Sequence, residues 1–398
     1  MNQSTGLPAL GIAQSLAAPR TDTVREFGFD VLRSLACLAV IAFHAPGVIR
    51  VPAFVGAMAS HGWIGVDLFF VLSGYLIGRQ VFGRPVGSNR ISEIRSFWIR
   101  RWTRTLPLYF VVLAFYAVIK PRLLHMPFVG GHAGYAFFLQ NYISIDDFGQ
   151  SWSLCVEEHF YLLFPLFALG LRGAERWPVW VWLTPALGSL AFRLVFKAMH
   201  PEHMVYMDFL MGVHFPTHAD LDGISIGIFL ACLSRRWMGW HALPRMPLLL
   251  LGILSCAMTL AYMPVTMIED VRSMFYPTLL GISFGACLIG VQGVTFPAPL
   301  AKVFFWLATY SYGAYLWHGV AGRVCDHVLN PAMPWFVNGA LYTAMTIGCA
   351  AATYHAIEVP GLRLRAYFLP ATRDGHPQKA QQPAGEGEGP GDLAQREP

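Results

Sequence analysis

Long runs of apolar residues, separated by short polar connections, set the pattern of this chain. A helix needs about 20 such residues to cross the hydrocarbon core of a bilayer, so each run of that length predicts a transmembrane helix. Ten runs lie near 29–49, 63–83, 98–119, 153–171, 177–198, 219–235, 246–264, 274–292, 302–323 and 335–357. Another apolar stretch, at 133–143, is too short to span, and we interpret it as a re-entrant or surface segment.

The distribution of basic residues predicts how these helices are oriented. Cytoplasmic connections of membrane proteins carry an excess of arginine and lysine. With ten spans, most arginines beside the apolar runs, such as Arg235 and Arg236, fall on the side of the N-terminus, and Lys120 and Arg122 are the exceptions. We therefore expect an all-α polytopic membrane protein with about ten transmembrane helices and both termini in the cytoplasm.

Composition supports a membrane protein. Of the 398 residues 55% are hydrophobic and 13% are charged, whereas about a quarter of the residues of a soluble domain are charged. The net charge of +5 comes largely from arginines beside apolar runs, so topology explains it better than binding to nucleic acid. The seven cysteines show no paired spacing, which predicts neither a disulfide framework nor a metal site.

Three regions follow from this pattern. We expect a disordered cytoplasmic segment at 1–26, a transmembrane domain at 27–370 and a disordered cytoplasmic tail at 371–398. The first segment lacks the basic region and apolar core of a cleaved signal, and the tail is polar and rich in Gly, Pro and Gln.

The first apolar run, FDVLRSLACLAVIAFH at Phe29–His44, carries ionisable groups inside a predicted span. Such groups are costly in a bilayer and are a functional hypothesis by default. Arg33 and His44 are eleven residues apart. They therefore fall within roughly 20° of the same helix face and are separated by about 16 Å along the axis.

Counting 1.5 Å per residue from each span centre places the other ionisable groups at two depths. The inner set is Arg33, Arg100, Arg101 and Arg104, and the outer set is His44, Asp67, Glu157, Glu158, Asp222 and His318. We therefore expect a cationic site toward the cytoplasm that is linked to an outer site of carboxylates and imidazoles.

These residue types could act in catalysis and phosphate binding, or they could have purely structural roles. A histidine near a carboxylate can take a proton from a hydroxyl, while arginines can bind phosphates through paired hydrogen bonds. Alternatively, a buried histidine or acid can simply join two helices, and the arginines can be topology signals or contact lipid headgroups. His318 also lies in a run typical of an interfacial aromatic belt.

Five segments of the chain resemble the membrane-bound acyltransferase-3 family and occur in that family's order between roughly residues 27 and 367. They are FDVLRSLACLAVIAFH, GWIGVDLFFVLSGYLIG, FWIRRWTRTLPLYF, WSLCVEEHFYLLFP and YSYGAYLWH. The resemblance implies a multi-pass O-acyltransferase of the bacterial cytoplasmic membrane. It also implies an acyl-CoA donor, by default acetyl-CoA, no metal, and a glycan or glycoconjugate acceptor.

The resemblance also implies roles for individual residues. These are His44 and Glu157 for catalysis, and Arg33, Arg101 and Arg104 for binding acyl-CoA. Within this set His44 would be the general base and Glu157 the acid, with Glu158 as its rival. From the outer set and its neighbours we further expect Asp67 to take part in catalysis, and Trp152, Asp222 and His318 to bind the acceptor.

Two departures from the family pattern and one rival function remain. His159 stands where the family often has glutamine, and His218 stands where arginine is expected, so the contacts of those helices are expected to differ. A transporter or flippase would use the same histidines and acids as a proton relay. The chain shows no internal repeat that would favour transport, and a structural scaffold would have little use for so many ionisable residues within its spans.

Overall fold

The computed structural model describes residues 26–83, 89–124, 128, 131–145, 147–170, 177–200, 206–262, 271–330 and 332–369. Within these residues the chain is helical and forms no β-strand. The predicted terminal segments 1–26 and 371–398 lie outside the described residues, except for Glu26.

Ten helices of 14 residues or more in the described residues coincide with the ten predicted runs. They are α1 Phe27–His44, α2 Gly65–Phe82, α3 Arg90–Ala114, α4 Trp152–Pro165, α5 Thr184–Met199, α6 Asp222–Arg236, α7 Arg245–Tyr262, α8 Tyr276–Gly290, α9 Ala298–Val328 and α10 Trp335–Thr353. Six of them, with their flanking turns, are long and apolar enough to cross a membrane. The prediction of an all-α membrane protein is thus confirmed, while the count of ten spans and the location of the termini stay predictions.

Shorter helical pieces connect or extend these ten. The short α-helices are Ala53–Ala59, Lys120–Leu124, His132–Ala136, Gln140–Ile143, Tyr206–Phe209 and Val359–Phe368. The 3₁₀ turns are Ala45–Gly47, Gly62–Ile64, Gly149–Ser151, Val179–Leu183, Thr217–Ala219, Met238–Ala242 and Val271–Met274. The π-helical turns are Phe115–Ile119, Leu166–Gly170, Leu210–His214 and Tyr354–Glu358. A π turn often marks a functional site in a helix.

Helix α1 lies between two groups of helices. Its residues Phe29, Leu32 and Ala36 are buried in a core formed with α2, α6 and α8. Cys37 and Ile41 are buried in a second core, formed with α9 and α10. Because both cores share α1, this helix has a fixed place at the centre of the described fold.

Close contact between glycines aligns α2 with α6. A Cβ atom at Gly74 would lie 2.1 Å from the carbonyl oxygen of Ile224, and one at Gly227 would lie 2.3 Å from that of Val71. Small residues let helix backbones approach closely in membrane proteins. The contacts advance together along both helices, so α2 and α6 run parallel and their first turns lie side by side.

The segment 133–143 does not span, as predicted. It forms two short helices whose polar residues are buried: the Gln140 amide donates to Ser151 Oγ at 3.0 Å, and the Asn141 amide donates to the Phe215 carbonyl at 3.0 Å. Phe137 and Ile143 are exposed. The segment therefore supports the start of α4 rather than crossing the membrane.

The glycine contact between α2 and α6 yields a stability prediction. Gly227→Ala should destabilise the protein by about 1–3 kcal/mol, because the added methyl group overpacks the backbone of α2. The measurement is the temperature at which the detergent-solubilised protein loses its monodisperse peak. Gly188→Ala in α5 is the matched control, because a Cβ there would meet nothing within 4 Å. Equal melting temperatures for the two variants would contradict the close contact.

Candidate active site

A cavity of about 700 Å³ lies where α1 ends. This volume is within the range of small-molecule binding sites, which reach about 1,000 Å³. Its wall includes the polar side chains of His44, Asp147, Gln150, His214, His318 and Arg323, together with the aromatic rings of Trp63, Tyr116, Trp152, Tyr276, Tyr315 and Tyr342.

His44 is the last residue of α1 and is exposed to this cavity. The helix gives way there to the turn Ala45–Gly47, because Pro46 has no N–H to continue the ladder. The ring centroid of His44 lies 4.7 Å from that of His318, which is 1% exposed. The structure thus brings together two of the residues predicted for the outer site.

Trp152, the first residue of α4, lines the same cavity. Its ring centroid is 4.6 Å from that of His214, and His214 Nδ1 lies 2.8 Å from the hydroxyl of Tyr276. The π turn Leu210–His214 places His214 there. Sequence reasoning missed both His214 and Tyr276, because neither belongs to a recognised segment and the π turn has no signal in the apolar pattern.

Asp67 and Asp222 do not line this cavity. Asp222 forms two hydrogen bonds with the guanidinium of Arg193, at 2.7 and 3.0 Å, and accepts another from Thr278 at 2.5 Å. Asp67, in the neighbouring first turn of α2, interacts electrostatically with Asp222 and Arg193. Asp67 is thus placed with Asp222 and Arg193 and not in the cavity with His44, and its predicted catalytic role stays a prediction. The parallel packing of α2 and α6 turns the two aspartates toward each other.

Asp220 connects this buried group to the cavity wall. Its carboxylate lies 3.5 Å from His214 Nδ1 and is itself 1% exposed. Arg193 was also missed from the sequence, although an arginine within an apolar run is a usable signal for a buried carboxylate partner.

Glu157 lies with the arginines instead of the imidazoles. It accepts a hydrogen bond from Ser73 at 2.5 Å and interacts electrostatically with Arg101 and Arg33. The structure thus groups Glu157 with these arginines and not with the residues that line the cavity around His44, and its predicted catalytic role stays a prediction. Helix α3 begins at Arg90, eight residues before the predicted start, so Arg101 lies near the middle of that helix.

Glu158 and Glu358 complete this second group. Glu158 accepts from the Thr105 hydroxyl at 3.0 Å and from the Trp102 indole at 3.1 Å. Arg104 interacts electrostatically with Glu358, which ends the π turn Tyr354–Glu358. We call Arg33, Ser73, Arg101, Arg104, Glu157, Glu158 and Glu358 the inner cluster. None of its members lines the described cavity.

About one helical turn separates the inner-cluster residues Glu157 and Glu158 from the cavity. On α9, Tyr312 interacts electrostatically with Glu157 and Glu158, whereas Tyr315, three residues later, lines the cavity. On α4, Ser153 lies 2.6 Å from the Tyr315 hydroxyl, and Glu157 follows one turn later. Two helices therefore connect the sites at the same short spacing.

Lys120 is explained by a partner at the cavity. This lysine is 1% exposed and forms an ion pair with Asp147, which lines the cavity. Arg323 approaches the same carboxylate at 3.7 Å. Lys120 is thus a buried residue that supports the cavity wall. It should therefore not be counted among the loop charges that predict the orientation of the helices.

Known proteins resemble this chain over most of its length. The model of the acyltransferase-3 family, described as an acyltransferase domain, matches residues 26–355. The chain is 29% identical to the peptidoglycan O-acetyltransferase OatA of Listeria monocytogenes, over 83% of this chain and 55% of that protein. It is 28% identical to the putative peptidoglycan O-acetyltransferase YrhL of Bacillus subtilis, over 84% of this chain and 54% of that protein.

The chain is 25% identical to a putative O-acetyltransferase of Staphylococcus aureus, over 86% of this chain and 59% of that protein. The chain thus spans little more than half the length of the curated relatives it matches. No solved structure matches it. The length of the family match shows that the chain belongs to the acyltransferase-3 family.

Proposed function

We propose that this multi-pass membrane protein transfers an acetyl group from acetyl-CoA to a hydroxyl of a sugar-containing acceptor. The observation that carries the proposal is His44, exposed in an aromatic-lined cavity at the end of α1, with Arg33 about 16 Å away toward the start of the same helix. Two relatives are named as established or putative peptidoglycan O-acetyltransferases, so a glycan of the cell envelope is the acceptor class we propose.

The cavity suits a sugar. The rings of Trp152, Tyr315 and Tyr342 offer apolar faces, and Gln150 and Asp147 offer hydrogen-bonding groups beside them. Sites for small molecules combine apolar and aromatic walls with a few polar groups that fix orientation. We assign Trp152 to acceptor binding on this ground.

In the proposed reaction His44 takes the proton of the acceptor hydroxyl as that oxygen attacks the thioester carbonyl. The new C–O bond forms, the C–S bond breaks, and the CoA thiolate leaves and receives the proton from His44. The C-terminal end of a helix favours a cation, so the position of His44 in the last turn of α1 helps it to carry that proton.

The carboxylates have supporting roles in this proposal. Glu157 holds the donor-side arginines, since it interacts with Arg101 and Arg33 and is separated from His44. Asp67 and Asp222, together with Arg193, fix the first turns of α2 and α6 behind the cavity wall.

Arg33, Arg101 and Arg104 are proposed to bind the phosphates of CoA. With ten spans and both termini in the cytoplasm of a bacterial inner membrane, these arginines are nearer the cytoplasm than His44. The separation of Arg33 and His44 along α1 is about 16 Å. The extended pantetheine arm would carry the thioester across this separation, and the acceptor would enter from outside.

His44→Ala should lower turnover at least about 100-fold, because a general base contributes that much or more. The measurement is release of free CoA thiol from acetyl-CoA by purified protein with glycan acceptor, together with formation of the acetyl ester. His241→Ala, at an exposed histidine far along the chain, is the control. Wild-type turnover in the His44 variant would remove it as the base, and movement of substrate without thiol release would favour the transporter.

Arg104→Lys tests the donor site. Lysine keeps a positive charge beside Glu358 but loses the forked donors that bind phosphate. We expect KM for acetyl-CoA to rise about tenfold with kcat nearly unchanged, since a hydrogen bond to a charged group is worth roughly 1.5–3 kcal/mol. Arg363→Lys is the control, because Arg363 is exposed on the same predicted side. An equal effect of both variants would indicate a general role of basic residues.

Two exposed methionines test the orientation. Met58, between α1 and α2, is 75% exposed, and Met238, between α6 and α7, is 96% exposed. In a background without native cysteines, a membrane-impermeant maleimide should label Met58→Cys in intact cells. It should label Met238→Cys only after the cells are permeabilised. The reverse pattern would place the cavity on the cytoplasmic side and overturn the proposed entry of the acceptor from outside.

A further inference from the structure

The polar side chain that lies against the ring of His44 is another histidine and not a carboxylic acid. The His44 and His318 rings have centroids 4.7 Å apart and planes inclined by 33°. Neither Asp67 nor Glu157 lines the cavity that His44 faces. The acids predicted to assist it, Asp67 and Glu157, are engaged with arginines. His318 is therefore the polar side chain whose ring the structure places in contact with His44.

The protonation of His318 follows from its partner. Its Nδ1 lies 2.6 Å from the backbone carbonyl oxygen of Tyr315. A carbonyl oxygen can only accept, so Nδ1 carries the hydrogen and donates it. In the neutral ring the other nitrogen, Nε2, then has a free lone pair. His318 and His44 line the same cavity, so this tautomer provides a hydrogen-bond acceptor in the cavity wall near His44.

The imidazole of His318 is held firmly. The residue is 1% exposed, and the backbone carbonyl of His318 accepts a hydrogen bond from the Tyr342 hydroxyl at 3.4 Å. Tyr315, whose carbonyl binds Nδ1, is fixed by a hydrogen bond from its hydroxyl to the Gln150 carbonyl at 2.9 Å. His44, by contrast, is exposed at the end of its helix. One member of the pair is thus rigid and the other is free to turn.

We propose that His318 is the positioning residue of His44: its Nε2 accepts a hydrogen bond from one ring N–H of His44 and so leaves the other His44 nitrogen free to take the acceptor's proton. The proposal rests on the proposed role of His44 as base. The rings touch in the structure without this bond, and such bonds often tighten only when substrate is bound. A neutral acceptor fixes the tautomer without burying a further negative charge in the membrane.

Two substitutions separate positioning from a structural role. In His318→Asn the amide takes the place of Nδ1 and can still donate to the Tyr315 carbonyl, but nothing reaches the place of Nε2. In His318→Gln the amide reaches the place of Nε2 and abandons that carbonyl. Positioning of His44 therefore predicts that kcat/KM falls about 100-fold in the Asn variant and stays within about tenfold of wild type in the Gln variant.

The opposite order, with Asn more active than Gln, would overturn the proposal, because it would show that only the bond to Tyr315 matters. An unchanged kcat with a raised KM in both variants would also overturn it, in favour of acceptor binding alone. His241→Asn and His241→Gln are the matched controls. If the Asn variant is recovered only in unfolded form, the Gln variant decides: a loss as large as that of His44→Ala overturns the proposal.

A double variant tests whether His318 acts through His44. The variant with both His44→Ala and His318→Asn should have the same residual thiol release as His44→Ala alone, because the positioned group is already absent. A further loss would show an independent role and overturn the positioning. Wild-type turnover in His44→Ala itself would instead defeat the proposed function, so the two failures are distinguishable.

Discussion

The packing of α1 between two helical cores is the constraint on which both sites depend. Arg33 and His44 lie on one unbroken helix, so the distance between the proposed donor-binding arginine and the proposed base cannot vary independently of the fold. The glycines at the start of α2 reinforce this: a Cβ at Gly62 or Gly65 would lie within 2.4 Å of a carbonyl oxygen of α1. A shift of α1 would therefore disturb the cavity and the inner cluster together.

The ion pairs inside the fold differ in how they are enclosed. A buried charge that loses its partner costs roughly 3–5 kcal/mol, so cations placed between helices need one. Arg193 and Asp222 are 1% and 0% exposed, and their pair is closed to any ligand. Arg101 and Arg104 are half-buried beside Glu157 and Glu358. We infer that the closed pair is structural and that the half-buried arginines are the ones available for phosphate.

The apolar pattern was sufficient to locate the long helices, and the depth count placed His44 and His318 in one set, which the structure places in one cavity wall. Depth fixes only one coordinate, however. Which neighbour a side chain contacts also depends on how each helix is rotated and how the helices cross. The close contact at Gly74 and Gly227 places Asp67 beside Asp222. The polar first turns of α3 are invisible to an apolar count, so the count did not show that Arg101 lies near the middle of that helix. The π turn that places His214 follows no recognised periodicity in the sequence.

The turn of α9 between the two sites has a bearing on the choice between transferase and transporter. The hydroxyl of Tyr312 donates to the Thr105 carbonyl at 2.7 Å, and that of Tyr315 donates to the Gln150 carbonyl. Because both hydroxyls donate to backbone carbonyls, neither has a hydrogen free to pass on at this turn. A proton relay needs polar groups or water in sequence along its path. This turn therefore favours the proposed transferase, in which exclusion of water would protect the acetyl thioester from hydrolysis until the proposed base, His44, activates the acceptor.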